Sequence, residues 1–107
     1  MSALGTEYKI NVHMKPIDGL HMASDNIDFE CMLYVAASKG VTFKKGDEAV
    51  KKIDDDNYKI VVSSEQAMKI GRGTVKMKFT AHIEDFDFPD YKRTEIVDNI
   101  CTGVMIT

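Results

Sequence analysis

The sequence predicts an all-β protein, an antiparallel β-sandwich of about seven strands with one short helical turn. Three observations predict it. Apolar and polar residues alternate with period two through most of the chain, the mark of strands with one buried face. Turn signals built on Gly, Pro, Asn and Asp recur roughly every 8–15 residues. No segment holds a 3.6-residue apolar period for the length of an ordinary helix. Short strands at this spacing fit an immunoglobulin-like arrangement with Greek-key connections, with a small barrel as the second option.

The elements follow in chain order. In "EYKINVHM", Tyr8, Ile10, Val12 and Met14 alternate with Lys9, Asn11 and His13, which makes a half-buried strand closed by Pro16 and the turn pair Asp18–Gly19. "IDFECMLYV" places Ile27, Phe29, Cys31, Leu33 and Val35 on one face and is the best central strand. "VTFKK" reads as a short strand. "GDEAVKKID" is either a short edge strand or an irregular crossing. After the turn "DDD", residues Tyr58, Ile60 and Val62 share a face. In "SSEQAMKIG" the β pattern breaks, and Ser63 with Gln66 forms a capping-box pair, so about one helical turn ending at Gly71 or Gly73 is expected. "TVKMKFTAHI" is the cleanest strand, with Val75, Met77, Phe79, Ala81 and Ile83 inward and Lys76, Lys78, Thr80 and His82 outward. The acidic corner "EDFDFPDYKR" follows, and "TEIVDNICTGVMIT" supplies the last strand or pair of strands, with Gly103 marking a bulge. The predicted core comprises Ile10, Val12, Phe29, Leu33, Tyr58, Ile60, Val75, Met77, Phe79 and Ile83.

The chain has 107 residues, enough for one core, and is read as a single domain over 1–107. Hydrophobic residues make up 44% and charged residues 29%, a globular balance. A formal net charge of −3 leaves no basic surplus to neutralise phosphates, which argues against a nucleic-acid partner. No stretch approaches the ~20 apolar residues of a membrane-spanning helix. The opening "MSALGTEYKI" has neither the basic nor the apolar region of a signal peptide. Cys31 and Cys101 fit no metal spacing; both fall in apolar strand patterns and are read as buried reduced thiols, with a cross-sheet disulfide as the alternative.

The acids offer the only constellation worth weighing. Asp85, Asp87 and Asp90 lie within six positions and are the weak candidate for a cation, since calcium takes several converging oxygens. Phe86 and Phe88 alternate with them, however, which suggests rings turned to the core and carboxylates turned to water. The corner is therefore read as solvated, with no metal and no cofactor. "DDD" at 54–56 reads as an exposed turn. His13, His21 and His82 are scattered and lack zinc spacing. "GRGT" precedes a strand rather than a helix, so it is a turn and not a phosphate cradle. No nucleophile or acid–base set is readable, and no enzyme is expected. Lys44, Lys45, Lys51 and Lys52 read as guards of an edge, the usual device against unwanted strand pairing, and as the candidate interaction residues.

The segments "INVHMKPIDGL", "DFECMLYV", "VTFKKGD", "DDDNYKIVV" and "GRGTVKMKFTAHIEDFDFPDYKRTEIVDNICTGVMI" together resemble small immunoglobulin-like phage and prophage proteins of Bacteroidetes-type bacteria. They resemble more distantly the N-terminal immunoglobulin-like domain of phage baseplate upper proteins. The chain departs from the pattern at the acidic corner, with Glu84 in place of a proline and Tyr91 in place of a glycine. The resemblance implies a non-enzymatic structural or assembly module of a virion, of tail or baseplate type, made in the bacterial cytoplasm. Its partners would be other virion proteins or further copies of itself. In such a module Phe86 and Phe88 would anchor the corner, and Arg93 would pair with a neighbouring carboxylate. The alternative is a carbohydrate-binding or adhesion module at a cell surface.

Overall fold

A computed structural model describes residues 3–36 and 38–107, so the reading of the first ten residues falls in part on Met1 and Ser2, outside the described residues. Seven strands, one helix and one 3₁₀ turn follow in the order β1 (Tyr8–His13), β2 (Ile27–Tyr34), β3 (Val41–Lys44), β4 (Val50–Asp54), β5 (Asn57–Val62), α1 (Ser64–Ile70), β6 (Gly73–Glu84), a 3₁₀ turn (Pro89–Tyr91) and β7 (Lys92–Ile106). They form two antiparallel sheets with orders β1-β5-β4 and β3-β2-β6-β7, an all-β sandwich.

The core between the sheets contains every predicted member, including Phe29 at 1% and Phe79 at 8% exposure. The Phe29 ring meets Tyr58 of the opposite sheet edge-on at 5.0 Å and stacks on Phe79 at 5.6 Å. Period-two alternation produces this directly, because successive side chains of a strand point to opposite faces. Along β6 the pattern holds for five inward residues, from Val75 to Ile83, all buried.

The region left ambiguous, residues 46–54, contains β4, an edge strand beside β5. The helical segment is longer than one turn. It runs Ser64–Ile70 from the capping box of Ser63 and Gln66 to Gly71, and buries Ala67 and Ile70. The acidic turn at 54–56 is not merely solvated. Asp56 accepts hydrogen bonds from His21 Nδ1 at 3.0 Å and, at 3.4 Å, from the N–H of Met22, while its carbonyl accepts Met14 N–H. It thereby fastens the β1–β2 connection to the β4–β5 turn.

One expectation fails at β7, the burial of Cys101, and the failure traces to backbone irregularity. The segment is one strand, not two, but its register with β6 shifts between Met77/Phe79 and between Thr74/Lys76. Phe79 lies opposite Val97 and Met77 opposite Ile100, so β7 holds one extra residue there, near Asn99 with φ +58°. A one-residue bulge inverts the alternation. Cys101 is therefore exposed rather than buried, opposite the outward-facing Lys76, whose Nζ lies 3.2 Å from its sulfur. Cys31 is buried as expected, and both thiols are free. The second shift coincides with Gly103, φ +79°, the expected bulge.

Candidate interaction surface

The acidic corner is the tip of the long β6–β7 hairpin. β6 ends at Glu84, one residue past Ile83, which pairs with Ile27 at the very start of β2. Beyond that point, among the described residues, the tip pairs with no strand outside its own hairpin. Phe86 and Phe88 are accordingly exposed, at 73% and 44%, and do not anchor the corner to the core. Phe86 packs edge-on against Tyr91 instead, with ring centroids 5.5 Å apart. Tyr91 has φ +57°, a left-handed backbone more natural to glycine than to tyrosine.

Of the weak cation candidates, Asp85 is half-buried, its carboxylate accepting the Asp87 N–H at 3.1 Å, while Asp87 and Asp90 are exposed. Among the described residues, no group of three or more His, Cys, Asp or Glu converges as a metal would require. Arg93 does pair with carboxylates, chiefly one in the β1–β2 connection: its Nη2 donates to Asp18 at 2.8 Å, with Asp85 at 3.8 Å and Glu95 at 3.7 Å. Nothing in local sequence marks Asp18, 75 residues earlier, as its partner.

The four candidate lysines do not share one edge. Lys44 ends β3 in the four-stranded sheet, while Lys51 and Lys52 belong to β4 in the other. Lys52 pairs with Asp55 at 3.3 Å. Lys45 serves the fold: its ammonium donates to the carbonyls of Met22, Ser24 and Ile27 at 3.1, 2.8 and 2.6 Å, and lies 5.9 Å from the Phe29 ring centroid. Burial lowers its pKa, and the carboxylates of Asp28 and Asp25 oppose that shift. Lys51 is exposed, directly opposite Lys59 on the outer face of the three-stranded sheet.

The feature that sequence reasoning missed lies on the other side of the sandwich. β1 and β7 are both edge strands, and between them opens an apolar cleft of about 310 Å³. Its walls include Val12 from β1 and Met14 just past its end, Met77 and Phe79 from β6, and Val97 and Ile100 from β7. Five consecutive residues, Asn11 to Lys15, border it, so the cleft meets the backbone edge of β1 and not just one face. Val97 is 54% exposed although it occupies the inward register opposite Phe79. Among the described residues, no strand covers it. The described residues before β1, from Ala3 on, do not fill the gap: Thr6 N–H turns back to the Ala3 carbonyl, and Gly5 lies beside Met68 of α1. Comparison with family models, with curated proteins and with solved structures returns no match.

Proposed function

We propose that the protein is a non-enzymatic assembly module that works through protein–protein contact at the open β1–β7 side of its sandwich. The observation that carries this reading is the cleft itself, an apolar surface joined to an unpaired strand edge. Val97 lies open at an inward position beside that unpaired edge, and an unpaired strand edge is a ready template for another chain. The strand order supports the immunoglobulin-like form of the reading. In that fold, strands B, E and D share one sheet, and C and F lie beside G in the other. Taken in chain order, β1, β5 and β4 correspond to B, E and D, while β3, β2, β6 and β7 correspond to C′, C, F and G. The position left over is that of strand A, beside β1. The resemblance of the sequence to phage and prophage proteins supports a virion, of tail or baseplate type, as the setting, with other virion proteins as partners.

The test is sedimentation of the protein with the products of adjacent genes. The expected result is a complex with one of them, lost when Val97→Arg places a charge in the cleft while the melting temperature is retained. A complex indifferent to Val97→Arg would sink the reading. A second reading, a carbohydrate-binding or adhesion module, draws on the exposed Phe86, Phe88 and Tyr91 at the hairpin tip. Glycan-array binding lost in Phe86→Ala would favour it.

A further inference from the structure

We infer that the edge of β1 is a strand acceptor, and that its occupant is an extended segment of a partner protein with apolar residues at every second position and acidic residues between them. The inference rests on the reading of the open side as the working surface and names what sits there.

The backbone settles which groups are offered. Met14 N–H bonds to the Asp56 carbonyl at 3.2 Å, and the β1–β5 register runs unbroken from Tyr8↔Val62 to His13↔Asn57. In an antiparallel ladder, hydrogen-bonded and non-hydrogen-bonded pairs alternate. Val12, Ile10 and Tyr8 therefore share the parity of Met14 and face β5. Lys9, Asn11 and His13 turn their N–H and C=O groups to the open edge. An incoming strand finds three residues' worth of unpaired backbone, which suits an occupant of about six residues at ~3.3 Å each.

The side chains of that strand would alternate between two environments. Those directed inward lie over the cleft, against Val12, Met14, Phe79 and Val97. The charged groups lining the cleft are Glu95, 3.7 Å from Arg93, and Lys15; the rest of the wall is mostly apolar, so apolar side chains suit the inward positions. Those directed outward extend the outer face of the three-stranded sheet. There Lys9 sits opposite Val61, and Asn11, Lys59 and Lys51 form a cross-strand row. Like charges directly opposed, as Lys51 and Lys59 are, destabilise a sheet. Among the described residues, none of Lys9, Lys51 and Lys59 has an ion-pair partner. The carboxylate on the strands of this face, Asp54, is held by Asn57 Nδ2 and Asp56 N–H at the far end. Outward acids on an added strand supply the missing countercharge, and outward lysines would be repelled.

The test uses three eight-residue capped peptides: Val alternating with Asp, Val alternating with Lys, and the Val/Asp composition arranged in blocks. Binding is followed by fluorescence anisotropy and by amide chemical shifts. The expected result is that the alternating acidic peptide binds at least about tenfold more tightly than the lysine peptide, a sum of two or three cross-strand charge contacts. The blocked peptide should be weaker as well, because it cannot keep one face apolar. Asn11→Pro should abolish binding without lowering the melting temperature appreciably, since the donor it removes faces away from β5. Lys9→Glu with Lys59→Glu should reverse the charge preference. Failure of the alternating acidic peptide to bind, equal affinity for the two charge patterns, or indifference to Asn11→Pro overturns the inference. So does self-association that needs the β1 edge and that the acidic peptide does not displace, which would make a second copy the occupant. A partner complex sensitive to Val97→Arg but not to Asn11→Pro overturns the strand acceptor and leaves the assembly reading intact.

Discussion

The open cleft makes two core phenylalanines unequal, and that inequality can be measured. Phe29 is 1% exposed and enclosed, with Tyr58 edge-on at 5.0 Å and Phe79 stacked at 5.6 Å. Phe79 is 8% exposed and has the cleft along one flank. Truncating a core Phe to Ala costs about 3–5 kcal/mol, the spread reflecting how completely the void is walled in. Phe29→Ala loses both ring contacts and leaves a closed void, so it belongs near the upper limit, about 5 kcal/mol. Phe79→Ala merges its void with a cleft that water already reaches, and belongs near about 3 kcal/mol. A domain of this size has roughly 5–15 kcal/mol in total, so the Phe29 variant would be near the limit of folding. Urea titration reads the difference. With m near ~2 kcal/mol/M, Phe79→Ala should lower the midpoint by about 1.5 M and Phe29→Ala by about 2.5 M. Equal losses, or a larger loss at Phe79, would refute the reasoning, because they would mean that the β1–β7 side is closed around Phe79. Binding of the alternating acidic peptide should raise the midpoint of the wild type as the logarithm of one plus the ratio of peptide concentration to Kd.

Three further outcomes are expected. Lys45→Met removes an ammonium that holds three backbone carbonyls and should cost about 1.5–3 kcal/mol by urea titration; a neutral result would show that Lys45 is only an edge guard. Cys31, its pKa pushed up to about 12 by burial and by Glu30, should resist a thiol reagent at pH 8 while Cys101 reacts, giving one thiol per native chain and two after denaturation. Asp98 is held below the usual carboxylate range by the Tyr34 hydroxyl at 2.7 Å and by Asn99 N–H, and Asp54 by the N–H of Asp56 and the Asn57 amide. Carboxylates with depressed folded-state values contribute stability that is complete above about pH 5 and is lost as pH falls through those values. Thermal melting should therefore fall on acidification, and Asp98→Asn should flatten part of that decline; an unchanged acid limb would remove Asp98 from the account.

Where alternation is unbroken, the chain could be read almost residue by residue. The inward sets of β2, β5 and β6 are local consequences of a period of two, and so is the helix start at Ser63, set by a side chain reaching three residues on. The edge status of the segment around Lys51 was legible from its lysines, but the role of Lys45 was not. Its three carbonyl acceptors come from the loop before β2 and from the first residue of β2, some twenty residues earlier, and no local pattern announces them.

The sequence by itself determined the strands, their buried faces and the all-β class, because those follow from the pleat of a single chain segment. Only the tertiary structure decided the outcome at β7, since a bulge near Asn99 inverts side-chain parity without any change in composition. It also decided the fate of Phe86 and Phe88, whose burial depends on a neighbouring strand that stops short of them. The cleft is tertiary in the same sense. Val12, Phe79 and Val97 each read as ordinary inward residues, and whether an inward residue is covered depends on how many strands the opposite sheet supplies. Among the described residues the opposite sheet ends at β1, leaving Val97 without cover and the backbone of Lys9, Asn11 and His13 without a neighbouring strand.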